Sequence, residues 1–322
     1  MKLSQVPTLS GKLRGIITPL VTPLLDWRTL DFPSLRRLIE HVVAGKVHGL
    51  FVLGSTGEAP SLGIDLRCAL VRAVSNEAAA RVPLIVNVSD TAFEHTLCLA
   101  EEAAKCGAMA VAISPPSYFP LDQAQLKAYL AHFSERSPLP VFLYNIPQFA
   151  HTAIAAETVC ELAELPNVIG LKNSDGSLDY LRAVHTGLRR RSDFSVLVGN
   201  EETLLPALTI GADGGVCGGA NMFPQMFVQL FEAATNGRQA EAEELQQTVV
   251  RISKAVYAVG APETSYLRGL KRALTGLGMI RDVLAEPLQN FDKAEQAELD
   301  SRFARLLETA NDRPAVEEMK SQ

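Results

Sequence analysis

Cysteine is sparse in this chain, and the few present form no pattern. The five residues (Cys68, Cys98, Cys106, Cys160, Cys217) are odd in number, dispersed, and nowhere in C-x-x-C spacing. Neither a disulfide framework nor a zinc knuckle is expected from them; reduced and mostly buried thiols are. The six histidines show no H-E-x-x-H motif and no paired metal spacing, so no metal centre is expected. No apolar run approaches the roughly 20 residues of a bilayer span, and Met1-Lys2-Leu3-Ser4-Gln5-Val6-Pro7 lacks the apolar core of a signal peptide. A cytoplasmic protein with no membrane partner is the expectation. Positive charge is not in excess: 30 lysines and arginines face 36 acidic residues, for a net charge of -6 and a pI of about 5.6. Such a surface has no broad attraction for phosphate backbones, which makes nucleic acid a poor partner. What remains is an ordinary globular composition, 47% hydrophobic and 20% charged over 322 residues, with material for a large core.

Along that length, short apolar runs rich in valine and isoleucine alternate with stretches of helical period. The runs are Gly15 to Leu20, Gly49 to Leu53, Leu84 to Val88, Ala108 to Ile113, Val141 to Tyr144, Val168 to Lys172, Ser195 to Gly199 and Gly214 to Cys217. Helical segments separate them; in Asp31 to Ala44, Asp31 can cap, Pro33 suits the first turn, and Leu35, Leu38, Ile39 and Val42 share a face. Strands apolar throughout need cover on both sides, which means a parallel sheet flanked by helices. Eight strand-helix units in this length predict an α/β fold of the (β/α)8 TIM barrel type. The alternative, an open doubly wound sheet, would usually show a glycine fingerprint after its first strand; Thr18-Pro19-Leu20-Val21-Thr22-Pro23 has none. After Asn236 only helical patterns follow, so the expected organisation is a barrel over residues 1–236 and a C-terminal helical region over 237–322.

In such a barrel the chemistry belongs at the C-terminal ends of the strands. The sixth run drives straight into Lys172, and burial there would favour a neutral amine able to attack a carbonyl. The same lysine could instead lay its stem on apolar surface with its head in water. After the second strand, Gly54-Ser55-Thr56-Gly57-Glu58 offers two glycines for positive φ and a nest of N–H groups suited to a carboxylate, or simply a tight turn. After the fifth, Tyr144-Asn145-Ile146-Pro147 brings a phenol able to exchange protons with Ser55 or Thr56, or a core aromatic with a satisfied hydroxyl. Three such features on one rim are far less probable together than singly.

Gly54-Ser55-Thr56-Gly57-Glu58, Tyr144-Asn145-Ile146-Pro147 and Gly170-Leu171-Lys172, in this order and at these separations, resemble the dihydrodipicolinate synthase and N-acetylneuraminate lyase family of pyruvate-dependent class I aldolases. The resemblance runs from Gly15 into the C-terminal helices. It implies that Lys172 forms an imine with the keto carbon of pyruvate, that Tyr144 shuttles the proton, and that Ser55 and Thr56 hold the carboxylate and join the relay, with no cofactor. Tyr118, in Pro115-Pro116-Ser117-Tyr118-Phe119-Pro120, resembles a tyrosine that reaches into a neighbour's site, which implies a homo-oligomer, at least a dimer and usually a tetramer. Ser174 and Glu202 fall where related lyases bind substrate hydroxyls, although an acidic residue at a helix start is also favoured by the helix dipole. Val216, in the last strand, completes the expected substrate-binding set.

Departures from the family pattern bear on the substrate. Dihydrodipicolinate synthases typically carry an arginine for their acidic second substrate where this chain has Phe149, and a phenyl ring cannot make those charge-assisted bonds. Ser117 replaces a tyrosine, and Ile64 and Arg67 stand where histidines often serve lysine feedback. Gly218 and Gly219 replace polar residues of sialic acid lyases. The expected substrate is therefore a shorter 2-keto-3-deoxy sugar acid cleaved to pyruvate and an aldehyde, with 4-hydroxy-tetrahydrodipicolinate synthesis and keto-deoxy acid dehydration as alternatives. A glycine-rich Gly214 to Gly219, the candidate cleft residue His151, and a basic cluster of Arg268, Lys271 and Arg272, read as solvated or at a subunit contact, carry less weight.

Overall fold

The computed structural model describes residues 11–311; the N-terminal stretch 1–7, read above for a signal peptide, and the end of the tail lie outside them. Eight strands, β1 (Gly15–Pro19), β2 (Gly49–Val52), β3 (Leu84–Asn87), β4 (Ala110–Ile113), β5 (Val141–Asn145), β6 (Val168–Asn173), β7 (Ser195–Val198) and β8 (Gly214–Val216), pair in parallel in chain order and close into a barrel. Closure joins β1 to β8, with Gly15 opposite Gly214 and Ile17 opposite Val216. A Cβ on Gly214 would overlap the Gly15 carbonyl oxygen, so glycine is what lets the first and last strands meet.

Alternation along each strand sorts the apolar residues into two cores. Ile17, Phe51, Ile85, Ala110, Ala112, Phe142, Tyr144, Leu197 and Val216 fill the barrel interior as one cluster. Their neighbours Ile16, Leu50, Val52, Val86, Val111, Leu143, Leu171 and Val198 face the helices as another. Both faces are therefore dry, as a parallel sheet demands. Lys172 takes the inward parity, since it lies opposite Tyr144 in register while Leu171 faces out.

The covering helices are α1 (Phe32–Ala44), α2 (Ile64–Ala78), α3 (Phe93–Lys105), α4 (Gln123–Arg136), α5 (Ala156–Leu162), α6 (Leu178–Gly187), α7 (Leu204–Ile210) and α8 (Pro224–Thr235). Three of them start on a side-chain cap. Asp31 accepts the Ser34 N–H at 3.2 Å, Ser177 accepts from Tyr180 at 3.1 Å, and Asp122 forms a reciprocal box with Gln125. A small antiparallel pair, Leu24–Asp26 with Thr29–Leu30, decorates the link between β1 and α1. Its strands are too short for any periodicity to announce them.

Three further helices follow, α9 (Gln239–Val256), α10 (Pro262–Gly276) and α11 (Lys293–Asn311). Gln246 ties α9 to the barrel rim: it accepts the Leu205 N–H at 2.8 Å and donates to the carbonyls of Glu201 and Glu202 at 3.0 Å each. The basic cluster of α10 is not solvated as the sequence reading had it. Lys271 is fully buried and ion-paired with the equally buried Glu58 of the second strand's loop, while donating to the Val283 carbonyl at 2.6 Å. Arg272 pairs with Asp300 and Asp282, and Arg268 with Glu295 over the Phe291 ring. A helix face packed on the barrel cannot leave an ammonium unpaired, and Glu58 is its partner. Among the described residues no helix is long and apolar enough to cross a membrane.

Candidate active site

Lys172 ends the apolar stretch of β6 with 5% of its surface exposed. Its Nζ lies 4.0 Å from the centroids of both the Phe51 and Tyr144 rings. Unlike Lys271, it has no carboxylate partner among the described residues. Burial pushes its pKa below the usual lysine value, and the Tyr144 hydroxyl opposes that shift only in part. An amine so placed is drawn toward its neutral, nucleophilic form.

Tyr144 stands one strand away, 3% exposed, with its ring edge-on to Phe51 at 5.7 Å. Its hydroxyl is 3.4 Å from Ser55 Oγ, and Thr56 Oγ1 is 3.1 Å from the hydroxyl of Tyr266 on α10. The loop that carries Ser55 and Thr56 is shaped differently from the sequence expectation. Its left-handed residues are Leu53 (φ 61°) and Glu58 (φ 58°), not the two glycines. The glycines are there for space: a Cβ would meet the Phe51 ring at 2.8 Å from Gly54, and the Leu20 carbonyl at 3.1 Å from Gly57. The N–H groups of Gly57 and Glu58 turn inward to the carbonyls of Gly54 and Ser55, each at 3.0 Å. Those of Ser55 and Thr56 have no backbone acceptor among the described residues, so any anion cradle is confined to these two. Leucine in a left-handed turn is costly, and it is held here by Asn87, which donates to the Leu53 carbonyl at 2.7 Å. Glu58 is a strut rather than a reactive group. Besides pairing with Lys271 it accepts the Ala285 N–H at 2.7 Å.

Around this centre the remaining expected residues fall unevenly. Val216 is buried in the barrel interior. Ser174 lies just past β6, its N–H donating to the Asn145 carbonyl at 2.8 Å, and its hydroxyl fills the space where a Cβ on Gly199 would stand. Glu202 is turned away from the interior cluster, its carboxylate accepting the Ser253 hydroxyl of α9. Its neighbour Glu201 faces inward instead, 4% exposed, accepting the Gly219 N–H at 2.8 Å and the Tyr257 hydroxyl at 3.1 Å. The first turn after β7 admits one of the two acids to the interior and gives the other to α9. Tyr118 projects into solvent, 77% exposed, stacked edge-on against Phe119 with ring centroids 4.9 Å apart. Phe149 is exposed on the short turn Pro147–Ala150, and His151 caps that turn on the surface with a φ of 55°. Arg67 is buried in an ion pair with Asp90 at 2.7 Å.

Three groups near the site were not among the expected residues: Glu201, Tyr257 and Tyr266. Glu201 stood in the same Gly199-Asn200-Glu201-Glu202 string, but the string does not say which acid turns in. The two tyrosines come from the C-terminal helices, which no rule about strand ends reaches. Burial raises the Glu201 carboxyl to about 7, with Glu202 adding to the rise and the Gly219 N–H and Tyr257 opposing it. Because the folded value lies above that of an exposed glutamate, its favourable contribution is complete below about pH 4.5 and is lost as pH climbs through 7. Wild-type protein is therefore expected to lose up to about 3 kcal/mol relative to Glu201→Gln between pH 5 and 8. Urea unfolding of both proteins across that range checks it; parallel stability curves would remove the raised carboxyl.

A closed parallel barrel with a buried, unpaired amine, a phenol and two hydroxyls at its C-terminal rim has the make-up of an enzyme that handles carbonyl compounds. The chain belongs to the dihydrodipicolinate synthetase family, which it matches over residues 12–305, and it is a lyase of that family. It is 30% identical over 276 residues to the 4-hydroxy-tetrahydrodipicolinate synthase of Azoarcus sp. (strain BH72), covering 86% of this chain and 92% of that one. The solved dihydrodipicolinate synthase of Bacteroides thetaiotaomicron is similar with a TM-score of 0.89 and 43% identity, over 92% of this chain and all of that one (100%). YagE, a prophage protein of this family from E. coli K12 solved in complex with pyruvate, is similar with a TM-score of 0.86 and 29% identity, over 93% and 99% of the two chains.

Proposed function

We propose that the protein is a Schiff-base aldolase in which Lys172 joins the keto carbon of a 2-keto-3-deoxy acid, and that it releases, or in reverse condenses, pyruvate and an aldehyde. The observation that carries this reading is the burial of the Lys172 amine against two aromatic rings, with no counter-ion among the described residues. The pyruvate complex of YagE, a relative of the same fold, supports a keto acid as the partner.

The steps follow from the groups present. The neutral amine adds to the carbonyl to give a carbinolamine; Tyr144 gives its phenolic proton to the departing hydroxide, so water leaves and a protonated imine faces the phenolate. The 4-hydroxyl of the substrate gives up its proton to that phenolate, directly or through the Ser55 hydroxyl, as the C3–C4 bond breaks and its electrons enter the imine to form an enamine. The aldehyde departs. Tyr144 returns the proton to C3, and water then adds to the imine, its surplus proton passing back to the phenolate, to release pyruvate and the free amine. The N–H groups of Ser55 and Thr56 and their hydroxyls would hold the carboxylate, while Ser174 and Val216 would line the acceptor side. Glu202 was expected there too, but its bond to Ser253 leaves Glu201 as the acid facing in. In an oligomer the exposed Tyr118 would reach a neighbour's barrel mouth.

4-Hydroxy-tetrahydrodipicolinate synthesis, the activity in the name of the Azoarcus relative, is disfavoured by Phe149, which offers no guanidinium to a second acidic substrate. A panel of keto-deoxy acids with pyruvate release as readout, run beside pyruvate plus aspartate semialdehyde, decides between the two. Keto-deoxy acid consumed without free pyruvate would instead indicate dehydration. Tyr144→Phe is expected to slow turnover by about 10² or more, the range of lost acid-base catalysis, while leaving the imine able to form. A mutant running at the wild-type rate would take the phenol out of the proton path.

A further inference from the structure

The hydroxyl that Thr56 meets does not come from the rim of strands at all. It belongs to Tyr266, on α10, 210 residues further along the chain. Room for it is provided by the loop after β8, which is separated from β2 only by β1. A Cβ on Gly218 would overlap the Tyr266 hydroxyl oxygen, so the missing side chain after β8 and the incoming phenol occupy the same space. At Gly219 a Cβ would crowd the Phe227 ring at 2.7 Å and Glu201 Oε1 at 2.9 Å. The ring of Tyr266 is fixed in turn by Tyr257, edge-on with centroids 4.8 Å apart, and Tyr257 is anchored by its hydroxyl on the buried Glu201. Glycine pair, acid and two tyrosines form one assembly whose front end is a single hydrogen bond to Thr56.

We propose that Tyr266 is a positioning residue for the reaction: it holds the Thr56 hydroxyl in its working orientation beside Tyr144 and Ser55, a support that the C-terminal helices bring to the strand rim. This rests on the Schiff-base reading above. Its physical basis is that a threonine hydroxyl has one proton and rotates freely. With the Tyr266 hydroxyl 3.1 Å away, one direction is taken and the other is turned to the keto acid bound beside Lys172. A half-ordered hydroxyl would still permit imine formation, since the amine is supplied by β6. It would slow the proton transfers that interconvert imine and enamine. Gly218 thereby acquires a reason: it admits an aromatic hydroxyl from elsewhere in the chain.

The test uses pyruvate alone, so that it does not depend on knowing the aldehyde. Borohydride reduction in its presence, read by intact mass, reports the imine. Exchange of the pyruvate methyl protons for deuterium in heavy water, read by proton NMR, reports the enamine. Tyr266→Phe is expected to keep the mass gain and to lower the exchange rate at saturating pyruvate about tenfold, the worth of one buried hydrogen bond, with half-saturation changed less than about threefold. Gly218→Ala reaches the same contact from the other side and should reproduce the defect. Exchange at the wild-type rate in Tyr266→Phe or in Gly218→Ala overturns the assignment while leaving the imine chemistry standing. If wild-type protein gains no mass at all, both fall together.

Discussion

Lys172→Ala is expected to abolish pyruvate-dependent turnover, by about 10³-fold or more, and to gain no mass when reduced with borohydride in the presence of pyruvate. The expected loss is large because the amine supplies the electron sink itself. A neighbouring hydroxyl can bind a keto acid, but it cannot draw electrons from the adjacent carbon as a protonated imine does. The other buried lysine among the described residues, Lys271, is closed off by Glu58. The same substitution should leave the fold intact or firmer. Lys172 is buried with its charged form disfavoured, so the wild-type residue burdens stability, and alanine removes that burden along with the chemistry. Thermal unfolding alongside the mass measurement separates the two effects. Residual activity within tenfold of wild type, or a borohydride adduct still forming in the mutant, would move the nucleophile elsewhere.

Breaking the buried Glu58–Lys271 pair is expected to be the most destabilising change to a charged residue in the protein. Each partner is fully buried, and each has a further bond to backbone: Glu58 to the Ala285 N–H and Lys271 to the Val283 carbonyl. Removing one leaves the other charged and unpaired in a dry interior, which costs about 3–5 kcal/mol. Glu58→Ala and Lys271→Ala should each lower unfolding free energy by that amount in urea, and the double mutant by no more than either single one, because the second removal relieves the stranded charge. Function should follow stability here. Glu58 closes the turn that presents Ser55 and Thr56, and Lys271 belongs to the helix that carries Tyr266. Single mutants within about 1 kcal/mol of wild type would show that the pair is solvated in practice.

Much of this architecture was legible beforehand, and particular residues show why. Each of the eight barrel strands was placed to within two residues, because an apolar run covered on both faces is an unusual pattern. The helices followed from their apolar period, with Asp31 as a readable cap for the first. The rim position of Lys172 and Tyr144 came from counting strands, and their adjacency follows from neighbouring strands pairing in parallel. The turn at Gly54 to Glu58 was located correctly but its conformation was not. Leucine at positive φ is too rare to expect, and the glycines turned out to be needed for space instead. Glu202 was named from the family resemblance, which does not fix the phase of the short 3-10 turn Glu201–Thr203; there one residue of phase, about 120°, exchanges inside for outside.

The amino-acid order alone determined the barrel, the strand that bears the amine and the rim on which the chemistry sits, because those depend on periodicities that repeat every two or every 3.6 residues. Only the tertiary structure decided which acid turns inward, that Lys271 is buried against Glu58, and that Thr56 is met by Tyr266. These contacts join residues separated by 18 positions for Glu201–Gly219, 210 for Thr56–Tyr266 and 213 for Glu58–Lys271, the last two across the packing of α10 on the barrel. No local pattern encodes the rotation and depth at which a helix docks; that is settled by how side chains fill the space between the two surfaces.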